Sequence, residues 1–76
     1  MKNSAFNQIN PHKLLGSKWT ATHPVNKEKH FIVTKVNKNE EQFVTSCLIE
    51  AVINNREYEI EWQSLKSSNI WLPGWQ

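Results

Sequence analysis

An all-β fold is predicted for this 76-residue chain from three features of its sequence. Apolar and polar residues alternate with a period of two at residues 18–23 and 56–62, as they do in half-buried strands. β-branched and aromatic residues are concentrated in the segments between them. Short clusters of Asn, Pro and charged residues separate these segments, as is typical of turns.

The first three strands follow from these patterns. In the first, Trp19 and Ala21 share one face, and Pro24 ends the strand. Residues 30–36 are apolar on both faces in the middle, as expected for an inner strand. Residues 43–53 form the longest apolar segment, and their β-branched residues favour a long bent strand over a helix.

A hairpin and a fourth strand come next. The Asn-Asn pair at residues 54–55 separates two apolar runs, and Asn tolerates the left-handed backbone that a two-residue hairpin turn needs. In the strand at residues 56–62, Tyr58, Ile60 and Trp62 are predicted to point inward. The glutamates between them are predicted to face solvent.

The end of the chain completes the predicted architecture. One helical turn is expected at residues 63–68, before a short last strand at 69–72 that Pro73 stops. Five short strands in this order are typical of an SH3-like barrel. We therefore predict one small five-stranded SH3-like barrel at residues 13–76. Residues 1–12 are polar and aperiodic, which predicts a flexible N-terminal tail.

Four tryptophans in so short a chain must either form much of the core or line a recognition surface. The alternation of its strand predicts that Trp62 is buried. Trp19 is also assigned to the core, although it borders several lysines. Trp71 and Trp75 lie in a terminal segment whose packing the sequence does not define, so both alternatives stay open for them.

Charge is distributed unevenly along the chain. Residues 1–38 hold seven lysines and one glutamate, a net charge of +6, whereas residues 39–76 hold two basic residues and six glutamates, a net charge of −4. This asymmetry indicates a positive face that suits phosphate or an acidic partner. A second interpretation is that a lysine-rich strand faces a glutamate-rich strand and the two neutralise each other.

Several classes of chemistry are not predicted. His12, His23, His30 and Cys47 lack the close spacing of metal ligands, and the single cysteine cannot form an internal disulfide. The chain has no Asp and only two glycines, so neither paired catalytic carboxylates nor a phosphate-binding loop is indicated. We expect a non-enzymatic protein without cofactor or metal. No signal peptide is visible, which predicts a cytoplasmic location.

Binding of RNA or another single-stranded nucleic acid is the leading functional prediction. Lysines that meet phosphates are interleaved with rings that stack on bases. The candidate residues lie in the basic half of the chain: Lys13, Lys18, Trp19, Lys27, Lys29, His30 and Lys35. In the alternative interpretation, Trp19 belongs to the core and the lysines only keep the protein soluble.

A protein-interaction adaptor is the competing prediction. Tyr58, Trp71 and Trp75 would form an aromatic surface for a proline-rich segment or for a cationic side chain held in a cage. Self-association is a related possibility, since a dimer would cover exposed aromatic rings. The alternative is that the C-terminus simply packs over the end of the barrel.

Four stretches of the chain together resemble a known protein family. They lie at residues 10–20, 25–31, 56–60 and 71–75, and include the closing run Trp71-Leu72-Pro73-Gly74-Trp75. The sequence is similar to the small tryptophan-rich bacterial proteins grouped as a domain of unknown function. The resemblance implies a compact bacterial cytosolic protein with no assigned activity, substrate, cofactor or catalytic residue.

Overall fold

Five antiparallel strands in one sheet form the fold that the computed structural model describes over residues 7–76. The strands run in the order β4-β3-β2-β1-β5 across the sheet. Their bounds are β1 Lys18–Val25, β2 Glu28–Lys38, β3 Val44–Ala51, β4 Glu57–Ile60 and β5 Trp71–Pro73. Two short 3-10 helices, at Pro11–Lys13 and Trp62–Lys66, complete the secondary structure of this part of the chain.

The mainly β prediction is confirmed, including the helical turn before the last strand. Within residues 7–76 the strand order has two ends, β4 and β5, rather than a closed ring, so the architecture is an open antiparallel sheet. Irregular register between Thr20 and Val25, and between Val33 and Lys35, interrupts the ladders. Such irregularities bend and twist strands locally.

The connection between β1 and β2 is a two-residue hairpin. Val25 pairs with Glu28, and both central residues have a left-handed backbone, with φ of 57° at Asn26 and 66° at Lys27. Positive φ at both positions is the signature of a type I′ turn, whose twist matches that of the flanking strands. Pro24 lies inside β1, in the irregular stretch where its missing N–H interrupts no regular ladder.

The core lies on one face of the sheet and is closed by the segments at its two ends. Its buried side chains belong to Leu14, Trp19, Phe31, Val33, Cys47, Ile49, Ala51, Leu65 and Trp71. Six of the nine lie on β1, β2 and β3, and on β3 burial recurs at alternate residues. The two-residue period at residues 18–23 placed Trp19 and Ala21 on one face, and the structure has Trp19 in the core with Ala21 packed against it.

Residues 7–12 contact the rest of the domain through Asn7, and the flexibility expected of residues 1–12 stays a prediction. The backbone N–H of Asn7 donates to the carbonyl of Lys66 at 2.6 Å. The Asn7 side-chain amide donates to the carbonyls of Leu65 and Trp71, both at 2.8 Å. The rest of the predicted tail, residues 1–6, lies outside the described residues.

The third strand and its turn differ from the prediction. β3 ends at Ala51, and a four-residue loop replaces the expected two-residue turn, since the N–H of Ala51 donates to the carbonyl of Arg56. Val52 and Ile53 are exposed in this loop. Asn55 does have the left-handed backbone expected of it, with φ of 63°.

The fourth strand is shorter than predicted and ends before Trp62. Trp62 begins the 3-10 helix and is half-buried rather than buried, with its indole N–H donating to the carbonyl of Val44 at 3.1 Å. Tyr58 is 37% exposed, so it does not point fully inward. The last strand includes Pro73, which was expected to stop it.

The lysine-rich and glutamate-rich parts of the chain form different strands of the sheet. Lysines lie on β1 and β2, and two of the glutamates lie on β4. On β4, Glu57 pairs with Glu50 and Glu59 pairs with Leu48, so the glutamates of β4 do not face a lysine-bearing strand. β3 separates β4 from β2 and β1. The interpretation in which facing strands neutralise each other is therefore wrong for this sheet.

Candidate functional site

A buried carboxylate defines the candidate site. Glu28, the first residue of β2, is 6% exposed. Its Oε2 accepts a hydrogen bond from the side-chain amide of Asn54, and its Oε1 accepts one from the Tyr58 hydroxyl, both at 2.7 Å. These two bonds, with a smaller contribution from Arg56, hold the pKa of Glu28 below its ordinary 4.5 despite burial. Glu28 is therefore ionised at neutral pH.

Three separate elements place these groups together. The type I′ turn delivers Glu28 at the start of β2, the loop after β3 supplies Asn54, and β4 supplies Tyr58. Ionised carboxylates accept hydrogen bonds only, so donors from two sides fix the orientation of the Glu28 side chain. The carboxylate is held in place before any ligand arrives.

Three aromatic rings line the groove that contains Glu28. The Phe31 ring lies edge-to-face with two others, at centroid distances of 5.2 Å from Trp71 and 6.4 Å from Tyr58. Phe31 and Trp71 are buried, whereas Tyr58 is partly exposed. Edge-to-face packing of this kind adds to the stabilisation from burial and fixes the ring planes.

Two adjoining grooves meet at this cluster. One groove, of about 330 Å³, also has His23 and Ile70 in its lining. The other, of about 520 Å³, extends past Tyr58 to Ile60. Both are lined by Val25, Glu28, Phe31 and Trp71. We refer to the two together as the Glu28 groove.

The chemistry of the Glu28 groove suits a cation. An ammonium or guanidinium group is attracted both by a carboxylate and by the negative face of an aromatic ring, and Tyr58 is the partly exposed ring of this groove. Val25 and Ile70 also line the groove, and their side chains are 67% and 51% exposed. They offer apolar contact to the aliphatic stem of a lysine or arginine side chain of a ligand.

The residues predicted for a protein-binding surface separate into two places. Tyr58 and Trp71 both line the Glu28 groove. Trp75 is 45% exposed and lies instead beside Lys18 and His30. The adaptor hypothesis therefore keeps two of its three residues at one site.

The residues predicted for nucleic-acid binding are dispersed. Trp19 is 4% exposed and belongs to the core, so its ring is not available for stacking. Lys13 and Lys35 line two different grooves. Lys27 is in the type I′ turn and Lys29 is exposed on β2.

Lys18 and His30 do come together, around Trp75. The Lys18 Nζ lies 5.2 Å from the centroid of the Trp75 ring, and the His30 ring centroid lies 6.0 Å away. The Trp75 indole N–H donates to the carbonyl of Phe31 at 2.9 Å, which fixes the ring against β2. We call these three residues the Trp75 cluster.

Sequence reasoning missed Glu28, Phe31 and Asn54 as site residues. The one available signal was Glu28 itself, the single acidic residue among the first 38, placed next to a turn. Nothing in the local pattern indicates that Asn54 and Tyr58, which are 26 and 30 residues away, converge on it.

The described part of the chain contains no group of three or more His, Cys, Asp or Glu side chains arranged to hold a metal ion. Cys47 is fully buried, and burial raises the pKa of its thiol from 9.0 to about 11. The reactive thiolate is therefore scarce at neutral pH.

Among residues 7–76, no helix has the length and apolar character needed to cross a bilayer. The cytoplasmic location expected from the sequence stays a prediction.

Comparison with known proteins gives the family. No curated protein matches the chain, and no solved structure does. A family model described as "Tryptophan-rich protein (DUF2389)" matches residues 17–76, from just before β1 to the last residue. This stretch contains all five strands and every residue of the Glu28 groove. The chain therefore belongs to the DUF2389 family of tryptophan-rich proteins.

Proposed function

We propose that this protein is a non-enzymatic binding module that recognises a lysine or arginine side chain of a protein partner in the Glu28 groove. The observation that supports this proposal is the ionised carboxylate of Glu28, held by two hydrogen bonds in the lining of a groove that also contains Phe31, Tyr58 and Trp71. A cytoplasmic location and a bacterial origin are part of the same proposal.

The energetics favour a cation over other ligands. The hydrogen bonds to Glu28 come from two neutral groups, which orient the carboxylate but leave its negative charge, so a cationic ligand gains an attraction that a neutral ligand does not. A cation over an aromatic ring contributes about 0.5–2 kcal/mol, with the larger values where water is excluded. An anionic ligand would meet repulsion from the same carboxylate.

Isothermal titration with a blocked heptapeptide of alternating arginine and valine tests the proposal. We expect Glu28→Gln to weaken binding about tenfold or more, because the variant keeps the shape of the side chain and removes its charge. The matched control is Glu40→Gln, which makes the same charge change on an exposed residue beyond the other end of β2. Equal affinity of Glu28→Gln and wild type would contradict the proposal.

A second pair of variants tests where the cation binds and leaves the hydrogen bonds of Glu28 unchanged. Val25 lines the groove and is 67% exposed, so Val25→Arg places a positive charge at the rim at little cost to folding. Ile53, which is 61% exposed and does not line the groove, provides the control Ile53→Arg. We expect only Val25→Arg to reduce the affinity for the arginine peptide, and thermal melts verify that both variants fold.

The Trp75 cluster supports a second candidate function, binding of single-stranded nucleic acid. It combines an exposed ring that can stack on a base with a lysine and a histidine that can meet phosphate. This candidate retains Lys18 and His30 from the predicted set and replaces the buried Trp19 with Trp75.

Fluorescence anisotropy with a labelled 12-nucleotide oligouridylate tests this second candidate. We expect binding that weakens steeply with salt and that drops on Trp75→Ala and on Lys18→Ala. Lys66→Ala is the matched control, because Lys66 also lies over a tryptophan, with its Nζ 4.9 Å from the Trp62 ring. Binding that does not respond to salt or to Trp75→Ala would exclude the cluster as the site.

A further inference from the structure

The Glu28 groove lies between the two ends of the sheet. It extends from Tyr58 and Ile60 of β4 to Trp71 of β5. β4 pairs with β3 on one side only, and no strand among residues 7–76 pairs with its other side. Alternate residues of an edge strand direct their N–H and C=O groups outward, which makes the edge a template for another strand.

We propose that the partner recognised by the Glu28 groove is an extended, lysine- or arginine-bearing segment that adds to β4 as a sixth strand. This inference rests on the function proposed above and specifies the conformation of the ligand. Main-chain hydrogen bonds to β4 would supply affinity, and side-chain contacts in the groove would supply specificity.

The two faces of such a strand meet different groups. Side chains on the face shared with Tyr58 and Ile60 enter the groove, where Glu28 lies. Side chains on the opposite face lie beside Glu57 and Glu59, which are exposed, and part of Glu59 also lines the groove. Cross-strand neighbours of opposite charge stabilise a sheet, so a cationic residue is favoured on either face of the added strand.

The glutamates of β4 argue against pairing of this edge with β4 of a second copy of the chain. Pairing of two β4 edges would bring the glutamates of one copy next to those of the other, and like charges on neighbouring strands destabilise a sheet. Charged edge residues are a common way in which proteins prevent self-pairing of edge strands. The acidic edge therefore selects a cationic partner over an identical strand.

The length of β4 limits the segment that can be recognised. With four residues, Glu57–Ile60, and a rise of about 3.3 Å per residue, β4 offers roughly 13 Å of edge. A segment of about four to six residues pairs along this distance.

N-methylated peptides test strand addition. We compare the arginine-valine heptapeptide with two isomers that each carry three N-methyl groups, on amides of its arginines in one and on amides of its valines in the other. Since only alternate amides of an added strand face β4, we expect one isomer to bind about tenfold more weakly than the other. Hydrogen exchange should show new protection at alternate amides of Glu57–Ile60 in the complex.

The outcomes separate this inference from the proposed function. If Glu28→Gln weakens binding but the two isomers bind alike and β4 gains no protection, strand addition is wrong and the cation site stands. If Glu28→Gln leaves the affinity unchanged, the proposed function itself fails. A dimer in light scattering that the peptide dissociates would assign the edge to a second copy and overturn the inference.

Discussion

The negative charge of Glu28 is stabilised by hydrogen bonds from neighbouring side chains. A carboxylate with 6% exposure would ordinarily have a raised pKa, because burial disfavours the charged form. Here the Asn54 amide and the Tyr58 hydroxyl donate to its two oxygens and lower the pKa instead. The result is a fixed negative charge in the groove that Phe31 and Trp71 also line.

The lowered pKa of Glu28 predicts a pH dependence of stability. Since the pKa is lower in the folded state than its ordinary 4.5, this group stabilises the fold above that pH, and its contribution is lost as the pH falls through the folded-state value. We expect the free energy of unfolding of the wild type to fall more steeply below pH 4.5 than that of Glu28→Gln. Urea unfolding at a series of pH values measures this difference, and parallel pH profiles would contradict it.

At the scale of the element, the β1–β2 hairpin determines where Glu28 lies. Lys27 has a φ of 66° in the type I′ turn, a conformation that glycine adopts without steric cost. We expect Lys27→Gly to raise the free energy of unfolding by about 0.5–1 kcal/mol. Lys29→Gly, within β2, is the control and should lower it, because glycine weakens a strand interior.

Chemical denaturation of the two glycine variants measures these changes. Destabilisation by both variants to the same extent would show that the left-handed backbone at Lys27 is not a source of strain.

The elements were largely predictable because alternation and β-branched composition are local signals. Trp19 and Ile49 were placed in strands from the pattern around them, and both lie on the core face. Trp62 was misplaced because the alternation of β4 continues for two residues after the strand ends, into a 3-10 helix. A repeating pattern shows which residues share a face, but it does not show where the hydrogen-bonded ladder stops.

The site was less predictable because it depends on the whole molecule. Tyr58 and Trp71 were named as candidate binding residues, but Phe31, which contacts both rings, was assigned only to a strand. Its partners lie 27 and 40 residues away along the chain, so their meeting depends on the order of strands in the sheet. Trp75, named with them, is held by β2 on the side of Lys18 and His30.

The N-terminal segment contributes to the stability of the whole domain. The side-chain amide of Asn7 joins the carbonyls of Leu65 and Trp71, which belong to the last two elements of the chain. We expect Asn7→Ala to lower the free energy of unfolding by about 1–3 kcal/mol, because it leaves two carbonyls without their donor. Urea denaturation measures the loss, with the exposed neighbour variant Gln8→Ala as the control. Equal stability of the two variants would mean that this segment does not hold the domain together.

The central claim concerns where on the molecule a cation binds. A nitrogen–proton correlation spectrum, recorded while the arginine-valine heptapeptide is added, tests it most directly, because the indole signals of Trp71 and Trp75 report separately on the Glu28 groove and the Trp75 cluster. We predict shifts of the Trp71 indole and of the Glu28 and Tyr58 amides, with the Trp75 indole unchanged. Shifts confined to Trp75, Lys18 and His30, or no shifts at all, would contradict the account.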